Sequence, residues 1–148
     1  MSLHCSLALV SLPGARLHDL AQLISLDVDL RVASIADFEA WSPRGAQAIF
    51  VLPSDVLETG SASLIESFRQ AGNPVFFLDL SWEDSWRAVN PENLHDTNGL
   101  PWRMAYRRLA KQRREHLMAH SDHTLRADGT LTELAQRVLR TIRENGYS

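Results

Sequence analysis

The chain has 148 residues, 45% of them hydrophobic and 22% charged, with a formal net charge of −3. That size and balance fit one globular domain with a core of useful size, and they give no global attraction to nucleic acid or to an acidic membrane. The single cysteine, Cys5, excludes an intramolecular disulfide and a cysteine-cluster metal site, and it suits a reducing, cytoplasmic setting.

Residues 7–12 form a short apolar run closed by Pro13-Gly14, the pattern of a buried strand. No Lys or Arg precedes this run and no apolar run can span a bilayer, so neither a signal peptide nor a membrane span is expected. Leu17, Leu20, Ala21, Leu23 and Ile24 then recur at helical spacing. Residues 28–34 read as a second strand. Ser34, with Asp37 three residues on, caps a short helix that Ser42-Pro43-Arg44-Gly45 stops. Residues 48–52 are a third strand, ended by Pro53-Ser54-Asp55. Residues 57–70 read as a helix with Leu64, Ile65 and Phe68 inward, and Ala71-Gly72-Asn73 forms its C-terminal cap. Residues 74–80 make the clearest strand. Ser81 caps a helix running to Val89, with Glu83 and Asp84 favourable in its first turn. Residues 90–101 are polar and form the longest loop. Residues 102–120 make a long basic helix, 122–126 a fifth strand and Asp128-Gly129 a turn. A last helix starts at Thr130 or Thr132, with Leu134, Val138 and Ile142 inward.

Strands alternating with helices predict an α/β fold, three layers deep, with a parallel sheet covered on both faces and one domain over residues 1–148. A receiver-like or flavodoxin-like fold is the second topology, but the acidic pair it carries after strand one is missing. Ligands of such sheets sit at the carboxyl ends of the strands. That edge holds residues 13–18, 53–55, 80–81 and the mouth of the 90–101 loop.

A strand, a glycine turn and a helix N-terminus make the usual place for a phosphate. A Walker-type loop needs Gly-x-x-x-x-Gly-Lys followed by Ser or Thr. Here Gly14 stands alone, followed by Arg16, Leu17, His18 and Asp19, and the only lysine in the chain is Lys111. One glycine serves a tight turn as well as it serves anion binding by backbone amides.

Towards the C-terminus come Tyr106-Arg107-Arg108-Leu109, then Arg113, the strand Asp122-His123-Thr124-Leu125, Asp128-Gly129, and Glu133-Leu134-Ala135-Gln136-Arg137-Val138. This succession resembles the end of a shikimate kinase. Residues 74–80 resemble the strand before that family's lid, and residues 9–14 its opening strand and turn. The resemblance is collinear over most of the chain and weakest from 26 to 45. It implies a P-loop kinase fold with five parallel strands in the order 2-3-1-4-5. Carried over, the Walker lysine falls on Leu17, and the hydroxyl residues after it fall on His18 and Asp19. The acceptor-binding triple glycine falls near Pro53-Ser54-Asp55. The lid arginine has no counterpart, His95 being nearest, and Asp27-Val28-Asp29 is an echo of an Asp-x-Asp acceptor motif. Arg113 matches the substrate-contacting arginine, although the proline and tyrosine expected after it are Glu115 and Leu117. Arg87 falls near an adenine-side arginine.

In such a loop the lysine supplies charge to the β- and γ-phosphates and the hydroxyl holds Mg²⁺. Leucine does neither. Asp19 adds negative charge beside a polyphosphate, a cost of roughly one to a few kcal/mol at an effective dielectric near 20. Arg16 reaches an anion there without rebuilding the loop.

Other clusters have plainer readings. Arg103, Arg107, Arg108, Lys111, Arg113 and Arg114, interleaved with Trp102 and Tyr106, could bind nucleic acid or an acidic partner, but they also fit a solvated helix face. His116 and His120 share a helix face, with Asp122 and His123 nearby, yet they lack the His-Glu-x-x-His pattern and fit a metal-free surface cluster. Ser11, His18 and Asp19 cannot form a nucleophile relay, because adjacent helical residues point apart. Trp82, Trp86 and Trp102 suit packing in the core or at an interface, and Asp79 suits a capping role beside Ser81.

The expected function is therefore a non-catalytic, shikimate kinase-like protein that binds a small anionic ligand or a protein partner, including a second copy of itself. Its candidate ligand-binding residues are Gly14, Arg16, Arg87 and Arg113. No catalytic residue, metal or cofactor is assigned, and neither nucleic acid nor a membrane is an expected partner. Two alternatives stay open. One is an active small-molecule kinase using ATP and Mg²⁺, with Arg16 in place of lysine. The other is an adaptor acting through the basic helix 103–114.

Overall fold

The computed structural model describes residues 1–89 and 99–148. The strands are β1 (Leu7–Ser11), β2 (Arg31–Ala33), β3 (Ala48–Val51), β4 (Val75–Asp79) and β5 (His123–Arg126). They form one sheet in the order β2-β3-β1-β4-β5, and every pairing is parallel. The helices are α1 (Leu17–Val28), α2 (Ile35–Glu39), α3 (Ala62–Gln70), α4 (Trp82–Val89), α5 (Gly99–Ala119) and α6 (Leu131–Glu144). The three-layer α/β architecture and the strand order are those expected.

Both faces of the sheet are buried, which is why β1, β3 and β4 read as unbroken apolar runs. Leu7 and Leu9 of β1 and Phe76 and Leu78 of β4 pack against Leu20 and Ile24 of α1 and Val138 and Ile142 of α6. Alternate residues Ala8, Val10, Val75 and Phe77 face the opposite layer with Phe38, Ile65, Phe68 and Leu117. Two polar side chains tie the lower edge. Asn73 Oδ1 accepts from the Ser6 amide at 2.8 Å, and Ser6 Oγ accepts from the Ala48 amide at 3.0 Å.

Several boundaries move, each for a local reason. α1 continues through Val28, which belongs to the buried stripe of Leu20 and Ile24 rather than to a strand, so β2 starts at Arg31. The turn of residues 57–60 is not helical. Asp55 O accepts from the Glu58 amide at 2.9 Å, and Gly60 takes a φ of +90°, so α3 begins only at Ala62. α5 starts at Gly99 rather than at residue 102. The rest of the expected loop, with His95, lies outside the described residues. The cap at Ser81 forms as expected, its Oγ accepting from the Asp84 amide at 3.1 Å, and of the two threonines open for the last helix it is Thr130 whose Oγ1 accepts from the Glu133 amide at 3.1 Å. No helix among the described residues is long and apolar enough to cross a membrane.

His123 reports on the outer edge of the sheet. Its ring lies 5.0 Å from Phe76, and Nε2 is 2.8 Å from the Tyr147 hydroxyl. Burial lowers its pKa, and Asp122 opposes that only in part. The fold therefore favours the neutral ring, and the unfolded chain binds the extra proton. The contribution is fully present above the ordinary value of about 6.5 and is lost as pH falls through that value towards the folded one. His123→Gln is expected to flatten the fall in stability just below pH 6.5, measured by urea unfolding at a series of pH values. An unchanged pH slope refutes this assignment.

Candidate functional site

The turn between β1 and α1 has five residues, Leu12 to Arg16, and its backbone is unusual at two of them. Gly14 has a φ of +97° and Arg16 a φ of +55°. Gly14 sits beneath α4, where a Cβ would stand 2.5 Å from the Ala88 Cβ. A glycine is needed here for close helix approach as well as for the dihedral.

The same helix holds the turn from above. The buried Ser85 hydroxyl donates to the Pro13 carbonyl at 2.6 Å. That uses its one proton, so the Tyr106 hydroxyl of α5 donates to Ser85 Oγ. Loop, α4 and α5 are thus one hydrogen-bonded unit. Trp86 packs on Tyr106 with ring centroids 5.3 Å apart, and Arg103 and Arg107 lie 5.2 and 5.4 Å from the Trp82 ring centroid. The tryptophans of α4 therefore join the two helices, while Trp102 is 62% exposed.

The four candidate residues are not gathered around one point by any described contact. Arg16 pairs with Asp19 at 3.0 Å and its side chain is 67% exposed. Arg87 pairs with Asp84 at 3.0 Å and is 77% exposed. Arg113 is only 21% exposed. Its Nε donates to Glu58 Oε2 at 2.9 Å and its Nη1 to Ser54 Oγ at 3.4 Å. Each arginine thus already has a partner, and Arg113 alone is drawn inward, beside the loop after β3. Leu17, the first residue of α1, packs against the core.

Sequence reasoning missed one feature. Asp79, at the carboxyl end of β4, does not cap α4. It accepts from Arg114 Nε and Nη2 at 2.9 and 2.8 Å. This two-pronged contact raises the Arg114 pKa, its hydrogen bonds to Asp79 outweighing partial burial. The two residues lie 35 positions apart, and no spacing rule joins them. The basic helix keeps a solvated face, from which Arg103, Arg107 and Arg114 reach other elements while Arg113 alone is drawn in from solvent.

Among the described residues neither the Ser11, His18 and Asp19 relay nor a metal cluster assembles. Ser11 Oγ donates to the Leu78 carbonyl, His18 lies 3.4 Å from Gln22, and Asp19 is held by Arg16. His120 Nδ1 lies 2.9 Å from the His116 carbonyl oxygen, and His123 turns to Tyr147. Among the described residues no three His, Cys, Asp or Glu side chains are grouped to hold a metal.

Hollows open on or beside this edge among the described residues. One of about 420 Å³ lies against Gly14, Ala15 and Arg16 and the Gly129–Thr132 turn. One of about 480 Å³ lies between the ends of β2 and β3 and is lined by His18, Ser34 and Asp37. Another, of about 580 Å³, lies between α4 and α5 above Asp79.

No protein-family model matches this chain, and no curated protein sequence matches it significantly. Solved structures do match its fold. Shikimate kinase from Acinetobacter baumannii, in complex with shikimate, superposes with a TM-score of 0.71 at 14% identity, over 98% of this chain and 97% of that one. Shikimate kinase from Aquifex aeolicus gives 0.70 at 10% identity, over 99% and 98%. A gluconokinase from Sinorhizobium meliloti gives 0.60 at 11% identity, over 99% and 98%. At such identities the likeness is one of fold.

Proposed function

We propose that this chain, built on a shikimate kinase-like scaffold, does not transfer phosphate and instead binds a small anionic ligand at the carboxyl edge of its sheet. The observation that carries this reading is the turn after β1. It is five residues long, it is held by α4 through Pro13 and Gly14, and its one cation, Arg16, is paired with Asp19. The β- and γ-phosphates of a nucleotide would meet no lysine there, and Asp19 would oppose them. Gly14, Arg16, Arg87 and Arg113 remain the proposed contacts. Of these, Arg113 is the most sheltered from water and the most able to make a strong, charge-assisted contact if an oxyanion displaces Glu58.

Thermal unfolding with phosphate, shikimate, ADP or Mg-ATP, beside a coupled assay of ATP turnover, tests this. A ligand at 100 times its dissociation constant stabilises by about 2.7 kcal/mol, a shift of several degrees. The expected result is a shift with a small oxyanion, no larger shift with Mg-ATP, and no turnover. Turnover with Mg-ATP overturns the non-catalytic reading in favour of the kinase. No shift with any anion overturns ligand binding, and the protein-partner reading through residues 103–114 takes its place.

A further inference from the structure

We infer that the cavity between α4 and α5 is a second anion site, taking a small organic oxyanion with a compact apolar body. The inference deepens the anion-binding reading and rests on it, but it assigns the ligand to different residues.

The number of cationic side chains separates this cavity from the other two hollows. The hollow beside the β1 turn has a single cationic side chain, Arg16, and the hollow between β2 and β3 has no Arg or Lys in its lining. The cavity of about 580 Å³ is lined by Arg107, Lys111, Arg114 and Arg126. Arg107, Lys111 and Arg114 stand at i, i+4 and i+7 on α5, so they share one helix face.

Four acids, Asp79, Glu83, Asp84 and Asp128, share the lining, and two of them are paired with arginines outside it. Asp79 is taken by Arg114. Asp84 is held at 3.0 Å by Arg87, which lies outside the lining. Asp128 is held at 2.8 Å by Arg137, also outside it, and at 3.5 Å by Arg126. Arg107 and Lys111 have no carboxylate within ion-pair distance among the described residues, against the one acid Glu83. Arg107 is also held over Trp82, which restrains the guanidinium.

The floor sets the ligand's other half. Leu12 and Ala110 are buried and apolar, and Ala127 lies beside them. The volume is that of ordinary small-molecule sites. A ligand with an oxyanion towards Arg107 and Lys111 and an apolar body over this floor satisfies both.

Phenyl phosphate and benzoate are the probes, with phenol as the uncharged control, titrated calorimetrically at millimolar concentrations into the full chain. Wild type is expected to bind at least one anion saturably, but not phenol. The two anions distinguish a phosphate from a carboxylate preference. Arg107→Gln with Lys111→Gln, both exposed in the fold, is expected to weaken binding at least about tenfold. Arg140→Gln with Arg143→Gln, both on the exposed face of α6, removes the same two charges as a control and is expected to bind as wild type does. The thermal midpoint of the double variant reports that it is folded. No saturable binding in wild type, or equal binding in the double variant, overturns the site. Binding lost in Arg16→Gln or Arg113→Gln, with the double variant unaffected, overturns the location and leaves the broader anion-binding reading standing. ATP turnover with benzoate still bound at Arg107 and Lys111 does the reverse.

Discussion

Gly14→Ala is expected to lower stability by about 3 kcal/mol, a large effect for one methyl group. Two penalties add. Alanine at a φ of +97° lies in a region L-residues avoid, at roughly 1–2 kcal/mol, and the new methyl meets the Ala88 Cβ at 2.5 Å, where overpacking adds about 1–3 kcal/mol. α4 cannot simply retreat, because Ser85 ties it to Pro13 and, through Tyr106, to α5. Urea unfolding measures the loss. Adding Ala88→Gly removes the clash and leaves the dihedral strain, at about 1 kcal/mol of its own in helix propensity, so a double-mutant cycle separates the two. If Gly14→Ala falls within about 0.5 kcal/mol of wild type, the turn is not held as described. The same variant bears on function. Displacing α4 reshapes both the hollow beside Arg16 and the cavity beneath Trp82, so ligand responses at both should change with stability.

Phe68→Ala is expected to cost more, about 3–5 kcal/mol of a total that for a domain of this size is about 5–15. Phe68 is fully buried on α3 and organises the layer opposite α1 and α6. Its ring meets Phe38 at 5.3 Å, Trp41 at 5.3 Å and Phe50 at 5.7 Å, each edge to face. Truncation leaves a cavity walled by three aromatic rings that stiff neighbours cannot fill. The melting temperature should fall by on the order of 10 °C. Phe68→Leu, which keeps most of the volume, should recover more than half of the loss. A Phe68→Ala protein melting within a degree or two of wild type excludes this cluster as a centre of stability.

The aromatic cluster shows why parts of the fold were legible. Phe50, Phe68, Phe76 and Phe77 lie in short apolar runs or on helical periods bounded by Pro, Gly, Asn and Ser, and burial on both faces of a parallel sheet writes that pattern directly. The errors fell where one apolar residue suited two elements. Val28 continues the α1 stripe as well as it would open a strand, and Leu57 fits a turn ended by Gly60 as well as a helix. Only packing chose between them.

The site divided in the same way. The sequence by itself determined the alternation of strands and helices, the caps at Ser34 and Ser81, and the absence of a lysine after the first strand. Each of these is a local or counted property. Only the tertiary structure decided what the arginines do. Arg113 meets Glu58, Arg114 meets Asp79 and Arg69 meets Asp122, pairs separated by 55, 35 and 53 positions. It also decided that Arg107 and Lys111 share a cavity wall on which two of the four carboxylates, Asp84 and Asp128, are paired with arginines outside the lining. An ion pair follows from distance and dielectric in the folded chain, and neither is written in the spacing of charges along it.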